Sequence, residues 1–339
     1  MKTKKNILSF AIILLIIQSN LFSSSIDGTS SVKYLTANQV FHNGEYARGY
    51  VSFKSGATIL SNAIASFNTQ EPFTGGLDLR STGTLSLEGD LILDLNFSLS
   101  GSGVISGNGK TIFLNENLTI PDNSVIHIST NTAIDGQGKN LVFGRRGKIF
   151  VDANITLTLR NLSIIQNFNN PTDPCLRLAA LTSKLALYNV EMDLSQDFLF
   201  PQGQLFIHGD VAITGTSAFI YQSTQPSFIT SGATLAFAQN TTFDFSPPTG
   251  GTPQLLAKDF LMMQDATSKL ILDSCSLKTT STGLRLTKGQ IVFDNKVTVS
   301  STSFTFGNAS LGANYDALVK LLAGSNVFIN GFVNYDCVI

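Results

Sequence analysis

The sequence predicts an all-β protein, a single-stranded right-handed parallel β-helix (β-solenoid) of about ten rungs. Three observations point there. Apolar and polar residues alternate with period two, a strand-and-turn unit recurs along most of the chain, and only 13% of residues are charged, against about a quarter in ordinary domains.

The first 25 residues stand apart from the rest. Lys2, Lys4 and Lys5 precede an apolar stretch from Ile7 to Ile17, and QSNLFSSS ends with small residues at Ser23 and Ser25. This is the layout of a secretory signal peptide, predicted over 1–25, which makes the mature protein secreted or held at a cell surface. An apolar helix of that length covers only about half of a hydrocarbon core roughly 30 Å thick. No later segment has 18 uninterrupted apolar residues, so the mature chain is predicted to carry no transmembrane segment.

Residues 26–76 hold less regular runs such as VFHNGEYARGYVSF and are predicted to form an N-terminal cap with the first irregular rungs, covering a strand edge that would otherwise aggregate. The coil proper is predicted over 77–339. Five segments carry its pattern most clearly: KIFVDANITLTLRNLSII from Lys148, LRLAALTSKLALYNVEMD from Leu176, FITSGATLAFAQNTTFDF from Phe228, FLMMQDATSKLILDSCSL from Phe260 and LVKLLAGSNVFINGFVNY from Leu318. Thr, Val, Ile and Phe alternate there between Asn, Gly, Asp and Ser, the signature of half-buried strands.

Apolar residues just before the turns serve as landmarks: Leu87, Phe113, Ile134, Leu159, Leu187, Ile207, Phe237, Leu272, Phe293 and Ile329. The steps between them range from 20 to 36 residues. Rungs of uneven length suit a coil of three short strands whose loops absorb insertions. SKLALYNVEMD from Ser183 is also similar to SKLILDSCSLK from Ser268, which predicts an internal duplication over about 183–245 and 268–339, each copy after a Pro-containing loop (NNPTDP, SPPTGGTP).

Composition removes several functions. Lys and Arg number 22 against 23 Asp and Glu, for a net charge of −1, so no basic stripe is available to hold nucleic acid. The 43% hydrophobic content argues against disorder, and three cysteines are too few for a disulfide scaffold. Cys175, Cys275 and Cys337 leave at least one unpaired, the sequence selects no pairing, and they are read as three buried or partly buried free thiols. His42, His127 and His208 lie far from them in sequence, with no spacing that suggests a metal site.

In LTLRNLSI and LALYNVEM, Asn161 and Asn189 occupy equivalent turn positions, where Asn tolerates left-handed backbone and its amide can bond the next rung. TLTLRNLSII, KLALYNVEMD and AIDGQGKNL resemble rungs of the right-handed β-helix proteins of the pectin-lyase-like superfamily, over most of 77–339. The resemblance implies that scaffold. It also implies, for the enzymes of the group, cleavage of polysaccharides by clustered Asp carboxylates, sometimes with calcium, and an Arg or Lys that stabilises developing charge.

Such chemistry needs two carboxylates within a few ångströms. The sequence has no Asp-Asp pair, and IHGD holds His208 without the partners that polygalacturonase-like members show. The outward position before the turn, read in five rungs, is Thr158, Ala186, Ala236, Ile271 and Phe328, none ionisable. Glu88, Asp90 and Asp94, the basic trio Arg145, Arg146 and Lys148, and the trio Asp193, Asp197 and Asp210 read as solvated turn residues, the last being the one candidate for calcium. No catalytic, cofactor-binding or metal residue is assigned, and no cofactor.

The sequence therefore predicts an exported non-enzymatic β-solenoid, a surface or envelope-associated structural, adhesive or glycan-binding element whose partner is a glycan or protein at a cell surface. The competing reading is a polysaccharide lyase or glycoside hydrolase with an unfamiliar site. Sequons at Asn96, Asn117, Asn154, Asn161, Asn240 and Asn308 bear on this only in a eukaryotic secretory pathway.

Overall fold

The computed structural model describes strands from Ile26 to Asp336 with short interruptions. Residues 1–25, 36–38, 42–45, 54–57, 62–64, 68–74, 79–83, 88–89, 94–96, 167–172, 249–256, 281–282, 308–316 and 337–339 lie outside the described residues, and so does the expected signal peptide. The protein is all-β: every strand pairing is parallel, and one 3-10 turn, Ala257–Asp259, is the only helical element among the described residues. No helix there is long and apolar enough to cross a membrane.

The strands form one sheet of 18 and two of seven. The chain visits them in a repeating cycle, which Lys148–Val151 and its successors illustrate. Lys148–Val151 lies in a seven-stranded sheet, Thr156–Gln166 crosses the large sheet in two halves, and Leu176–Leu178 returns to pair with Ile149–Val151. Partners from residue 84 onward lie between 20 residues apart (Leu185 and Leu205) and 35 apart (Leu235 and Leu270). This arrangement of stacked parallel strands is consistent with a β-solenoid. It reaches back into the first part of the chain, where Ile26–Leu35 pairs with Tyr46–Phe53 and Thr58–Ser61 pairs with Thr84–Leu87.

Local backbone chemistry makes the bend between the two halves. In Thr156–Gln166, Leu157 and Leu159 point inward, and so do Leu162 and Ile164, three residues after Leu159 instead of two. Asn161, at φ 53°, takes up the odd residue by turning left-handed, and Asn189 does the same at φ 51°. The expected ladder forms: Asn161 Nδ2 donates to Asp135 Oδ1 at 3.2 Å, and Asn189 Nδ2 to Asn161 Oδ1 at 3.2 Å. Asp210 N then donates to Asn189 Oδ1 at 3.0 Å. Next to it Gly209 sits at φ 59°, where a Cβ would come within 2.1 Å of Asn189 Oδ1, so only glycine fits.

Below, the five strand segments from the middle of each cycle (156–160, 184–188, 204–208, 227–229, 261–263) are called the middle column, and those that follow the bend (162–166, 190–194, 211–215, 234–237, 269–273) the third column. Of the landmark residues, Leu87 and Ile329 lie in the seven-stranded sheets and Phe113 is an outward residue paired with Asp135; the others divide between the two columns. Ile134, Leu159, Leu187 and Ile207 stack in register in the middle column, but Ile207 continues to Ile229. Phe237 belongs to the third column, paired with Ile213 on one side and with Leu272 and then Phe293 on the other. Alternation reports which side of a strand is buried but not which column the strand occupies, so the landmarks changed column at the loop after Ile229. The two Ser-Lys-Leu turns behave alike locally and differ in place. Ser183 and Ser268 are both fully buried and donate to Asp152 O and Thr230 O at 2.9 and 3.0 Å. Ser183 precedes a middle-column strand and Ser268 a third-column strand.

The interior changes character along the chain. Leu and Ile dominate it from Leu85 to Ile164, whereas Phe198, Phe200, Phe219, Tyr221, Phe243 and Phe245 join the aliphatic residues in its later part. Their rings stack because strands lie about 4.8 Å apart and like residues fall over like. Tyr221 lies 5.6 Å from Phe200 and 5.2 Å from Phe245, and Phe243 lies 4.5 Å from Phe237. Replacement of Phe243 by Ala leaves a cavity among rings that cannot close on it. The expected cost is about 3–5 kcal/mol, read as a fall in the chemical-denaturation midpoint; a change below about 1 kcal/mol would contradict this packing.

Candidate functional site: an aromatic outer face

On the outer side of the middle column, parallel register turns single residues into rows. One row runs Thr158, Ala186, Phe206, Phe228, Met262. Two residues further along each strand, a second row runs Asp135, Arg160, Tyr188, His208. Of the five outward positions expected to share one row, Thr158 and Ala186 do. Ala236 and Ile271 pair with each other in the third column, and Phe328 pairs with Thr298 in a seven-stranded sheet. The change of column after Ile229 accounts for Ala236 and Ile271, whereas Phe328 lies in another sheet, on the strand that pairs with Lys296–Gly307.

The two rows bring four rings together. Tyr188 and His208 stack with centroids 4.0 Å apart and planes 5° from parallel. Phe206 and Phe228 stack at 5.5 Å, and Phe206 lies 6.4 Å from His208. Because the rings cover one another's faces along the stacking direction, they turn mostly edges to solvent, with Tyr188 38% exposed. Lys184 Nζ lies 5.9 Å from the centre of the Phe206 ring, near the outer limit of a cation–π contact. At the other end Arg160 Nε lies 2.9 Å from Asp135 Oδ2, an ion pair whose N–H is not aligned for a hydrogen bond.

Of the four rings, His208 is the one that titrates near neutral pH. Thr230 Oγ1 donates to Ile207 O at 2.8 Å and lies 3.1 Å from His208 Nδ1. The hydroxyl proton is committed to the carbonyl, so Nδ1 of the neutral ring carries its own proton and donates to Thr230, and Nε2 is left as an acceptor. Partial burial of the ring lowers the His208 pKa below its ordinary 6.5.

The residues proposed from sequence do not assemble with this face. Asp193 pairs with Thr214 near the end of a third-column strand, Asp210 pairs with Thr234 at the start of the next, and Asp197 accepts Ala218 N at 2.8 Å. Among the described residues no three His, Cys, Asp or Glu side chains converge to hold a metal ion. Asp90 accepts Thr111 N at 2.8 Å as a turn residue, while Glu88 and Asp94 lie outside the described residues. The basic trio separates. Arg145 N binds Asp122, Arg146 is a left-handed turn residue, and Lys148 pairs with Asp173 at 2.5 Å. Arg177 also reaches Asp173, at 3.5 Å, and His127 lies 3.2 Å from Asp152, so the acids of that sheet are held by cations or by His. The aromatic rows were not singled out from sequence, although the 20-residue step from Tyr188 to His208 and the matching step from Ala186 to Phe206 would align them.

Cys175 and Cys275 are buried free thiols, and Cys337 lies outside the described residues. Burial pushes both described thiols up to about 12, aided at Cys275 by the charge of Asp273. Comparison of the chain with known protein families, with curated proteins and with solved structures finds no match. What fold and face define is a class: an all-β protein of stacked parallel strands, consistent with a β-helix, with an aromatic strip along one outer face.

Two outcomes follow. In NMR titration the His208 ring should have its midpoint below 6.5. Since the folded state then binds fewer protons than the unfolded chain, this group lowers stability as pH falls through 6.5 toward the folded midpoint. A midpoint above 6.5 would contradict the burial. With Cys337 replaced by Ser, a thiol reagent at pH 8 should find no reactive cysteine in the folded protein and two after denaturation.

Proposed function

We propose that the chain is a single right-handed parallel β-helix of the pectin-lyase-like kind, about ten rungs long. We read it as exported through residues 1–25 and acting without catalysis as a surface or envelope-associated element that binds glycan along its middle column. Right-handed winding is supported by the near-universal hand of parallel crossover connections. The observation that carries the functional reading is the character of the outer rows: Ala186, Phe206, Phe228 and Met262 beside Tyr188 and His208, in places where cleavage chemistry would require facing carboxylates. Ring edges, a phenolic hydroxyl and an imidazole acceptor suit the mixed C–H and hydroxyl surface of a sugar polymer. The spacing of strands along the face suits a ligand that repeats.

The test is a glycan array probed with the mature protein from Ile26 onward, with a parallel assay for release of reducing or unsaturated ends from the bound polysaccharides, with and without calcium. Binding without turnover is expected, with affinity reduced about tenfold or more in Tyr188→Ala and Phe206→Ala, the loss of one hot-spot contact. Turnover that disappears on substitution of an Asp would establish the lyase or hydrolase reading instead.

A further inference from the structure

Beside the aromatic strip lies a second feature that the proposal above does not use. A cleft of about 390 Å³ is lined by Asn154, Leu181, Thr182, Lys184, Gln204 and Gln225. These residues come from successive strands and the turns before them. Asn154 N donates to Thr182 Oγ1 at 3.1 Å, Gln204 N to Ser183 O at 3.0 Å, and Gln204 Nε2 to Pro226 O at 3.3 Å, each bond joining one turn to the next. The lining thus spans three strand spacings, roughly 14 Å along the stacking direction, the reach of a short oligosaccharide.

Its polar groups are open to a ligand. Gln204 and Gln225 each use one end of the amide, Gln225 Nε2 donating to Thr224 O at 3.3 Å, and the other end of each has no partner among the described residues. The Asn154 side-chain amide has none there either, and the Thr182 hydroxyl accepts from Asn154 N with its own proton still to donate. Leu181, 46% exposed, supplies the apolar patch. Paired donors and acceptors on planar amides match neighbouring sugar hydroxyls, which are themselves both donor and acceptor.

The charge content selects the class of sugar. Lys184 is the one cation in the lining and no carboxylate lies there. A polymer carrying a carboxylate on every unit would need a cation at each strand spacing, and three of the four polar positions besides Lys184 are neutral amides. We infer that this cleft is a subsite for a neutral, linear oligosaccharide lying along the stacking direction. Asn154, Gln204, Gln225 and Thr182 bind its hydroxyls, and a ring packs on Leu181. The inference rests on the glycan-binding reading and adds a place and a chemical class to it.

Calorimetric titration of the mature protein decides it, with the neutral β-1,4-linked trisaccharides of glucose and mannose as probes and trigalacturonate as the anionic arm. Gln204→Ala and Gln225→Ala should each weaken binding of a neutral trisaccharide about tenfold, the worth of one hydrogen bond to a ligand, with unchanged thermal unfolding. Lys278→Ala, on an exposed position of a seven-stranded sheet away from the cleft, should leave trisaccharide affinity within twofold. Preference for trigalacturonate, lost in Lys184→Ala, would overturn the neutral class. Sensitivity to Tyr188→Ala alone would overturn the cleft. Either result leaves glycan binding standing, whereas failure of every array glycan and every probe to bind would overturn both readings.

Discussion

The structure depends on one constraint: each segment of chain must lay its strands in parallel register on the segment before it. Main-chain hydrogen bonds then run along the stacking direction, and every side chain finds its counterpart about 4.8 Å away. Register is tolerant of loop length, which is why partners sit 20 residues apart at Leu205 and 34 at Met262 without a break in the ladder. It is intolerant at the bends. There the chain must turn left-handed to keep Leu162 and Val190 facing inward, and Asn161, Asn189 and Gly209 meet that demand, with Asn189 donating to Asn161 and Asp210 N donating to Asn189.

Stacking like over like also explains what the chain is made of. Repeated charges would repel in register, so charged residues are few, and several on the sheets meet opposite partners: Arg160 beside Asp135, Lys148 and Arg177 around Asp173; Asp273 over Asp294 is a like-charge pair that departs from this. Rings gain from the same geometry. Inside, they join the aliphatic core from Phe198 onward. Outside, they form the Tyr188–His208 and Phe206–Phe228 stacks. The physics that fills the interior thus also builds the outer strip, while the amide-lined cleft at the turn keeps polar groups of Gln204 and Gln225 without partners among the described residues.

How much of this was legible depended on the kind of information each position carries. Period-two alternation identified Thr156–Gln166 and Lys184–Leu194 as strands, and the shared Asn identified their bend, because both signals are local. The outward row was legible only as far as Thr158 and Ala186. Beyond Ile207 the intervening loops change length, and a sequence pattern has no means of telling a strand before the bend from one after it, so Ala236 and Ile271 were assigned to a row they do not join. The aspartates were harder still. Asp193 and Asp210 are 17 residues apart in sequence, and whether they converge depends on which ends of which strands they occupy.

By itself, the sequence determined that the coil is built of β-strands, that these recur with uneven loops, that their inward residues are Leu, Ile and Phe, and that the bends fall at Asn161 and Asn189. These follow from side-chain size, polarity and backbone preference, which act within a few residues. Only the tertiary structure decided which rows form, that Tyr188 and His208 share a stack, and that Asn154, Gln204 and Gln225 line one cleft. Those pairings join residues 20 or more positions apart, and their register is set by main-chain bonding between strands rather than by any residue's own preference.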